Sequence, residues 1–230
     1  MRLLVIIPAY NEEANIERTV QNLKQYMNAE WDFVVVNDGS KDKTAQICRE
    51  KKFPLLDLPV NLGLAGAFQA GLKYAKEKDF DYVLQFDGDG QHRPEYIKPM
   101  LLAMQENQLD IMIGSRFVNQ KKQKTLRMLG SNLISAAIKI TTGQKLKDPT
   151  SGMRMFNRKM ISEFGSNLNY GPEPDTIAYV IKNGATVQEF QVSMDERIAG
   201  ESYLNLARSI RYMLNMFVSI LFVQSFRPKR

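Results

Sequence analysis

The chain of 230 residues is 44% hydrophobic and 24% charged, which is typical of one globular domain with a buried core and excludes a disordered or fibrous protein. One cysteine and one histidine exclude a disulfide framework and metal sites rich in cysteine or histidine. Lys and Arg number 31 against 25 Asp and Glu, a formal charge of +6 that favours nucleic acid, a phosphorylated substrate or an anionic membrane as partner, unless the basic surface is merely solvated.

Residues 1–115 alternate short apolar runs with stretches whose apolar residues recur at helical spacing. This pattern predicts strands at Leu3–Ile7, Phe33–Val36, Tyr82–Phe86 and Ile111–Ile113, and helices at Glu12–Met27, Asp42–Lys51, Leu64–Lys78 and Pro94–Asn107. Because alternating strands and helices form βαβ crossovers, we expect an α/β fold whose mostly parallel sheet carries helices on both faces. Ligands of such sheets bind beyond the carboxyl ends of the strands, so the residues that follow those ends are the candidates for a site.

After Arg116 the pattern changes. It predicts a helix at Thr125–Thr142, strands at Asp148–Asn157 and Thr186–Val192, and a helix near Asp175–Lys182 between them. The last apolar segment, Tyr212–Phe226, is shorter than the roughly 20 residues that a membrane-crossing helix needs. Basic residues flank it on both sides: Arg208, Arg211, Arg227, Lys229 and Arg230. We therefore predict an in-plane membrane helix or a docking helix, with a helix that completes the core as the alternative.

The sequence Asp87-Gly88-Asp89-Gly90-Gln91 follows the third predicted strand. Two carboxylates two residues apart can converge on one cation if the chain turns between them, and glycines permit such a turn. Oxygen ligands without histidine or cysteine suit Mg²⁺ or Mn²⁺, and Gln91 offers a third oxygen. The sequence predicts a metal site at Asp87, Asp89 and Gln91, with a solvated turn as the alternative.

Two other polar segments follow the first and second predicted strands. In Pro8-Ala9-Tyr10-Asn11-Glu12, Tyr10 offers a ring face for a nucleotide base, and Glu12 offers a carboxylate for a ribose or a base. In Asn37-Asp38-Gly39-Ser40, Asp38 could accept from a base or from ribose hydroxyls, whereas capping of the next helix would need no ligand. Neither segment is a glycine-rich phosphate loop, which argues against a dehydrogenase and a P-loop NTPase.

Taken in order, these motifs resemble those of the family 2 glycosyltransferases, which have the GT-A fold. The matching segments are Ile7–Glu12, Val36–Thr44, Asn61–Gly63 and Asp87–His92. Three further segments narrow the resemblance to the polyprenyl-phosphate (dolichyl-phosphate-like) hexose synthases: Gly114–Arg116, Asp148–Arg154 and Arg197–Ser202. The resemblance implies a glycosyltransferase domain at 1–203, with a nucleotide-sugar half at 1–116 and an acceptor half at 117–203. Membrane-associating or docking helices would follow at 204–230.

The resemblance also implies roles for individual residues. The donor-binding residues are Pro8, Ala9, Tyr10, Glu12, Asp38, Asp87 and Gly88, and the metal ligands are Asp87, Asp89 and Gln91. The acceptor phosphate is held by Arg116, Arg127, Ser131 and Arg197, and the catalytic residues are Asp89, Arg116 and Arg197. Arg127 and Ser131 lie four residues apart, so they share one face of a helix and can bind one anion together. Relatives carry a lysine after the serine that matches Ser202, whereas Tyr203 follows here, which removes one expected positive charge.

The implied reaction is the inverting, metal-dependent transfer of a hexose from a UDP- or GDP-linked sugar to a polyprenyl phosphate, with Mg²⁺ or Mn²⁺ as cofactor. A phosphate acceptor is already ionised and needs no base, whereas a hydroxyl acceptor does. Two alternatives remain open. One is transfer to a saccharide hydroxyl of a growing cell-surface glycan, with Asp175 as the first candidate base and Glu173 beside it. The other is a non-catalytic subunit that binds nucleotide sugars. Asp148 matches a position near the donor phosphates, although it could instead cap the turn at Pro149.

The implied partners are the nucleotide sugar, the polyprenyl phosphate and the membrane surface, with a small membrane protein or a second copy of the chain as a further partner. Nucleic acid is excluded because few aromatic residues interleave with the basic runs and no nucleic-acid motif is present. The first residues lack the pattern of a signal peptide. We therefore expect a cytoplasmic protein that associates peripherally with the inner face of the membrane.

Overall fold

The computed structural model describes residues 1–122, 125–166, 171, 173–196 and 206–222, and for residues 126, 127 and 206–210 it describes the backbone alone. The strands are β1 (Leu3–Ala9), β2 (Trp31–Asp38), β3 (Leu55–Leu58), β4 (Tyr82–Gln85), β5 (Ile111–Ser115), β6 (Arg154–Asn157) and β7 (Val187–Gln191). The helices are α1 (Ile16–Lys24), α2 (Thr44–Glu50), α3 (Gly63–Glu77), α4 (Ile97–Glu106), α5 (Leu126–Thr142), α6 (Arg158–Ser166), α7 (Pro174–Lys182) and α8 (Leu206–Leu221).

The strands form one sheet in the order β3-β2-β1-β4-β6-β5-β7. The pairs β1–β2, β1–β4, β2–β3 and β5–β7 are parallel, whereas β6 runs antiparallel to both β4 and β5. The mostly parallel α/β sheet that the sequence predicts is therefore confirmed. We call the edge at which β1, β2, β4 and β5 end the carboxyl edge.

Apolar side chains cover both faces of the sheet. β1 is buried along its whole length, as expected for a strand with helices on both sides. Leu4 and Ile6 contribute to one hydrophobic cluster with α3, α5, α6 and α7, whereas Leu3, Val5 and Ile7 contribute to a second cluster with α1 and α4. This alternation is the two-residue period of a strand, and it lets β1 contribute to the core on both faces of the sheet.

The reversed strand β6 begins at the carboxyl edge, where its first residue, Arg154, pairs with Gln85 of β4 and Ile113 of β5. The segment Asp148–Met153 therefore crosses this edge before the chain enters the sheet. The sequence predicts a strand over all of Asp148–Asn157, but only the last four residues pair. The preceding residues instead fold around Arg154, whose guanidinium donates to two of their carbonyl groups.

Two elements are missing from the sequence-based prediction. β3 has four residues and a half-buried edge position, so its apolar signal is short and incomplete. α6 has its buried side chains at Met160, Ile161 and Phe164, which are too few to reveal a helical period so close to a strand. Both elements become stable through packing against their neighbours, since propensity alone is a weak determinant of short elements.

Helix α8 packs against α5 and α7, and it includes most of the predicted apolar tail. Ile220 joins the hydrophobic cluster on that face of the sheet, whereas Leu214, Val218 and Phe222 are exposed. Within the described residues, no helix is both long enough and apolar enough to span a bilayer. The remainder of the predicted tail, 223–230, lies outside the described residues.

Candidate functional site

The Asp87 loop follows β4 at the carboxyl edge and is held by His92. The backbone N–H of Asp87 donates to Nδ1 of His92 (3.0 Å), and Gln85 Nε2 donates to Oδ1 of Asp87 (3.1 Å). Because Nδ1 accepts this bond, the neutral ring carries its proton on Nε2, which lies 3.6 Å from Oδ2 of Asp87. The ring is buried and contacts Phe86 edge to face. His92 thus orients the loop from within the protein.

The second half of the loop turns at Gly90, whose φ of 77° is in the left-handed region that favours glycine. The backbone N–H of Gln91 donates to Oδ1 of Asp89 (3.1 Å), and Nε2 of Gln91 donates to the carbonyl of Asp195 (3.2 Å). The backbone N–H of Asp195 returns a bond to the carbonyl of Gln91 (2.9 Å). The amide nitrogen of Gln91 is therefore used within the protein, and its amide oxygen is the atom that could reach a metal.

The carboxylate of Asp87 packs directly on Gly152. A Cβ atom at position 152 would lie closer than 3.0 Å to Oδ2 of Asp87 and 3.1 Å from its Cγ. The side chain of Asp87 is 31% exposed, so solvent can reach its carboxylate. The predicted ligands Asp87, Asp89 and Gln91 offer carboxylate and amide oxygens, the atom types that Mg²⁺ and Mn²⁺ prefer. By the chemistry of their side chains, these residues fit a divalent ion.

The loops after β1 and β2 are joined by hydrogen bonds between backbone and side chains. The N–H groups of Asn11 and Glu12 donate to Ser40 Oγ and Thr44 Oγ1, each at 2.9 Å. At the same edge, a Cβ atom at Gly88 would lie 3.0 Å from the carbonyl oxygen of Pro8 and 3.5 Å from the Cβ of Ala9. The structure thus brings the predicted donor residues of the first strand beside the Asp87 loop.

Asp38 is buried at the end of β2, and its Oδ1 accepts from the backbone N–H of Leu62 (2.7 Å). This bond fixes the loop between β3 and α3 against the carboxyl edge. Glu12, the other predicted carboxylate for the donor, accepts from Nδ2 of Asn15 (2.7 Å). Both carboxylates therefore stabilise loops of the site, and their contacts with a nucleotide stay a prediction.

Arg116 follows β5, and Asp148 holds its guanidinium group. Nε and one terminal nitrogen of Arg116 donate to the two carboxylate oxygens of Asp148 at 2.8 and 2.9 Å, and the backbone N–H of Arg116 donates at 3.1 Å. Burial lowers the pKa of Arg116, but the hydrogen bonds and negative charge of Asp148 outweigh burial and raise it. Arg116 therefore stays cationic, and Asp148 fixes its orientation.

Lys122 is a further cation near this pair that the sequence did not single out as a ligand. Its Nζ donates to Oγ of the buried Ser131 on α5 (2.9 Å). Burial lowers the pKa of Lys122, and the charges of Asp148 and Glu189 oppose this effect. The only signal in the sequence is its place in a basic run. Of the other predicted phosphate ligands, Arg197 and the side chain of Arg127 lie outside the described residues.

Arg154 is the second functional candidate that the sequence did not reveal. It is buried beneath the site, and its guanidinium donates to the carbonyls of Ser151 (2.8 Å) and Pro149 (2.6 Å). Burial lowers its pKa, whereas the nearby carboxylates of Glu173, Asp148 and Asp87 act in the opposite direction. An arginine at the start of an apolar strand is the signal that could have revealed it.

The candidate base Asp175 and the nearby Glu173, at the start of α7, are contacted by α8. The hydroxyl of Tyr212 donates to Glu173, and the hydroxyl of Ser219 donates to Oδ2 of Asp175 (2.7 Å). Oδ1 of Asp175 accepts from the backbone N–H of Thr176 (2.8 Å). Burial raises the pKa of Glu173, while Tyr212 and Arg154 oppose that rise. These contacts attach α8 to the edge of the site.

Comparisons with known proteins identify relatives of this chain. The profile of glycosyl transferase family 2 matches residues 4–165. An undecaprenyl-phosphate mannosyltransferase from Micrococcus luteus is 30% identical over 217 residues, which cover 89% of this chain and 88% of that protein. A UDP-N-acetylglucosamine–dolichyl-phosphate N-acetylglucosaminyltransferase from Methanococcus voltae is 29% identical over 214 residues, which cover 83% of this chain and 84% of that protein.

Solved structures share the fold. Glucosyl-3-phosphoglycerate synthase from Mycobacterium tuberculosis, in complex with Mn²⁺, UDP-glucose and phosphoglyceric acid, superposes with a TM-score of 0.72 at 14% identity, covering 99% of this chain and 81% of that one. A mannosyltransferase from Pyrobaculum calidifontis, in complex with GDP-mannose and Mn²⁺, gives a TM-score of 0.66 at 19% identity. The superposition covers 100% of this chain and 65% of that one. These similarities confirm the predicted GT-A fold. Because the family profile spans well over half of the sequence, the chain belongs to glycosyltransferase family 2.

Proposed function

We propose that this protein transfers one hexose from a nucleotide diphosphate sugar to a polyprenyl phosphate, with inversion at the sugar carbon. One observation carries this proposal: the segment Asp148–Gly152 contacts both halves of the site. At one end Asp148 holds Arg116, and at the other end Gly152 contacts the carboxylate of Asp87. The Asp87 loop, which we propose binds the metal, and the guanidinium group of Arg116 therefore both contact this five-residue segment. The relatives that act on undecaprenyl and dolichyl phosphates support this choice of acceptor.

On the donor side, the loops after β1, β2 and β4 form the binding surface. Pro8, Ala9, Tyr10 and Glu12, together with Asp38 and Gly88, would contact the nucleotide, and Asp87, Asp89 and Gln91 would hold the divalent ion. When bound, such an ion neutralises the charge that develops on the departing nucleoside diphosphate. Neighbours solved with Mn²⁺ and nucleotides support this assignment. Residues 1–116 thus supply the donor half of the site.

On the acceptor side, the chain supplies cations. The acceptor must approach another polyanion, and the fork of a guanidinium group, fixed by Asp148, suits a phosphate monoester. Arg116 and Lys122 would supply these cations, and Ser131, Arg127 and Arg197 stay predicted ligands of the same phosphate. A phosphate oxygen forms a bond to the anomeric carbon, the bond from that carbon to the diphosphate oxygen breaks, and its electron pair leaves with the nucleoside diphosphate. No proton has to be removed, so no base is required.

We further propose that α5 and α8 place the protein on the cytoplasmic face of the membrane, where the acceptor is found. Five exposed apolar side chains lie on these two helices, at Leu129, Leu133, Ile140, Leu214 and Val218, and the exposed Phe222 follows the end of α8. Neither helix contains an acidic residue, and the chain carries a net positive charge. Apolar residues next to cations are the features by which helices bind anionic bilayers. The same surface is where a small membrane protein or a second copy of the chain could dock.

The purified protein should be incubated with undecaprenyl phosphate in detergent and with labelled UDP- or GDP-hexoses. We expect label to enter the organic phase only when Mg²⁺ or Mn²⁺ is present, and EDTA to abolish transfer. Asp89→Asn should lose transfer, whereas Asp81→Asn, at the opposite edge of the sheet, should retain it. Label that enters a water-soluble oligosaccharide instead would favour the saccharide acceptor, and full activity in EDTA would contradict the metal role.

A further inference from the structure

We infer that Gly152 positions the carboxylate of Asp87, because the missing side chain at 152 leaves the space that this carboxylate occupies. The inference rests on the proposed function, in which Asp87 is a metal ligand. Gly152 lies in the segment that crosses the carboxyl edge and binds no substrate through a side chain of its own. Its role would be to keep one metal ligand in place.

A Cβ atom at position 152 would occupy the space of the Asp87 carboxylate. A Cβ atom there would lie 3.1 Å from Cγ and 3.2 Å from Oδ1 of Asp87, and closer than 3.0 Å to Oδ2. Distances below 3.0 Å essentially never occur for real Cβ atoms. The glycines with positive φ in the described residues are Gly39, Gly63, Gly90, Gly143 and Gly184. Gly152 is not among them, so its backbone conformation would allow a side chain. The obstacle to a side chain at this position is the carboxylate of Asp87.

The backbone at 152 is held in place from below. The carbonyls of Pro149 and Ser151 accept from the buried guanidinium of Arg154, and Oγ of Ser151 donates to the carbonyl of Gly114. The backbone N–H of Gly114 in turn donates to the carbonyl of Met153 (2.8 Å). These bonds tie the segment to β5 and β6 on both sides of Gly152. A shift of the backbone therefore could not relieve the steric clash of a methyl group added at position 152.

The other partner in the contact can move. Asp87 is fixed at its backbone by the bond to His92, but its side chain is 31% exposed and can rotate towards solvent. Its Oδ1 would then lose the bond from Gln85 Nε2. An alanine at 152 would therefore turn the carboxylate away from its present position while the protein remains folded. The effect should fall on binding of the metal.

The test measures Mn²⁺ binding without turnover, by electron paramagnetic resonance of free Mn²⁺ in the presence of UDP or GDP. We expect Gly152→Ala to weaken Mn²⁺ binding at least about tenfold relative to the wild type, which is a change of roughly 1.4 kcal/mol. The matched control is Gly165→Ala in α6, which adds the same methyl group 3.3 Å from the carbonyl of Leu72, away from the site. This variant should bind Mn²⁺ like the wild type.

The outcomes separate the inference from the proposed function. If the wild type binds no Mn²⁺ in the presence of either nucleotide, the proposed metal site is wrong, and the proposed function fails with it. If the wild type binds Mn²⁺, Asp87→Asn does not, and Gly152→Ala binds as tightly as the wild type, Gly152 has no positioning role and the proposed function stands.

A second measurement covers the case in which Gly152→Ala folds poorly. In an Asp87→Ala background the clash is absent, so adding Gly152→Ala should change the melting temperature little, whereas in the wild-type background the same change should lower it. Equal losses in the two backgrounds would overturn the inference, because the two residues would then be uncoupled.

Discussion

Asp148 is 0% exposed, so its negative charge must be compensated inside the protein. Arg116 provides this compensation through three hydrogen bonds, from its backbone N–H and from its guanidinium group. The backbone N–H of Asp148 donates in turn to Oε1 of Glu189 on β7 (2.6 Å), which holds the carboxylate in place. A guanidinium group held in this way has one fixed orientation, and the remaining exposed part of Arg116 is what an anionic acceptor would meet.

We predict that Asp148→Asn mainly impairs use of the acceptor. The amide keeps the shape of the carboxylate but lacks its charge and points N–H donors at a guanidinium group, so Arg116 would lose its orientation. The KM for polyprenyl phosphate should rise about tenfold, which corresponds to roughly 1.4 kcal/mol, while the KM for the nucleotide sugar changes little. Steady-state kinetics with each substrate varied in turn measure both constants. A rise in the donor KM alone would contradict this role for Asp148.

The sequence motifs placed the residues that carry the proposed chemistry, but not the partners that hold them. Asp87, Asp89 and Gln91 could be chosen because they follow a strand in a glycine-rich segment. Lys122 and Ser131 lie nine residues apart, with no spacing rule that predicts their hydrogen bond. The buried position of Arg154 in a strand could not be predicted, because it depends on the loop carbonyls that its guanidinium group binds. Partners of this kind depend on the tertiary fold.

At the scale of elements, Asp110 joins three strands at the end opposite to the site. Its Oδ2 accepts from the backbone N–H of Thr186 (3.0 Å) and from Nζ of Lys159 (3.1 Å), and its Oδ1 accepts from Nδ2 of Asn157 (2.9 Å). Burial raises the pKa of Asp110, but these hydrogen bonds outweigh burial and lower it from the ordinary value of 3.8. Asp110 therefore connects β5 with the end of β6 and the start of β7.

We predict that Asp110 stabilises the fold in a pH-dependent way. Because its pKa is lower in the folded protein, the unfolded chain takes up the proton first as the pH falls, and the stabilisation is lost from about pH 4 downwards. Asp110→Asn should lower the free energy of unfolding at pH 7 by about 1.5–3 kcal/mol, the range for hydrogen bonds to a charged group. Urea unfolding of both proteins between pH 3 and 7 measures the difference. A difference that stays constant down to pH 3 would contradict the prediction.

The architecture of the elements was predictable where one pattern extended over many residues. Apolar runs such as Leu3–Ile7 predicted the parallel strands, and the helical spacing of apolar residues in α5 predicted a helix that covers the sheet. The reversal of β6 was not predictable, because the direction of a strand depends on the loop before it and that loop is arranged around one buried arginine. The position of the candidate site could be inferred all the same, since ligands of parallel sheets bind beyond the carboxyl ends of the strands.

At the scale of the whole molecule, the two faces of the sheet differ in their outer surfaces. The helices α5 and α8, which contain no acidic residue of their own, expose apolar side chains. Ser131, on the buried side of α5, contacts Lys122 near the proposed acceptor site. The same helix could thus contact lipid on one side and lie next to the acceptor phosphate on the other. This arrangement would bring an acceptor that stays in the bilayer to the carboxyl edge.

We predict that Leu133→Ser combined with Val218→Ser releases the protein from membranes. The two side chains are 46% and 49% exposed and lie on α5 and α8, so their transfer into lipid should contribute on the order of 1 kcal/mol each. Co-sedimentation with vesicles that contain anionic phosphatidylglycerol should fall about tenfold, and transfer to vesicle-embedded undecaprenyl phosphate should fall with it. Transfer to a short-chain, water-soluble polyprenyl phosphate should remain near the wild-type rate, because the site is unchanged.

The matched control is Leu102→Ser on α4, a helix that contributes to the other hydrophobic cluster, on the opposite face of the sheet. Leu102 is 48% exposed, so the change removes a similar apolar area while α5 and α8 stay intact, and vesicle binding should not change. If the control and the double variant lose vesicle binding equally, the binding depends on general surface hydrophobicity. If neither loses it, α5 and α8 are not the membrane-binding surface, and the second copy of the chain becomes the partner to test by measuring the mass of the protein in solution.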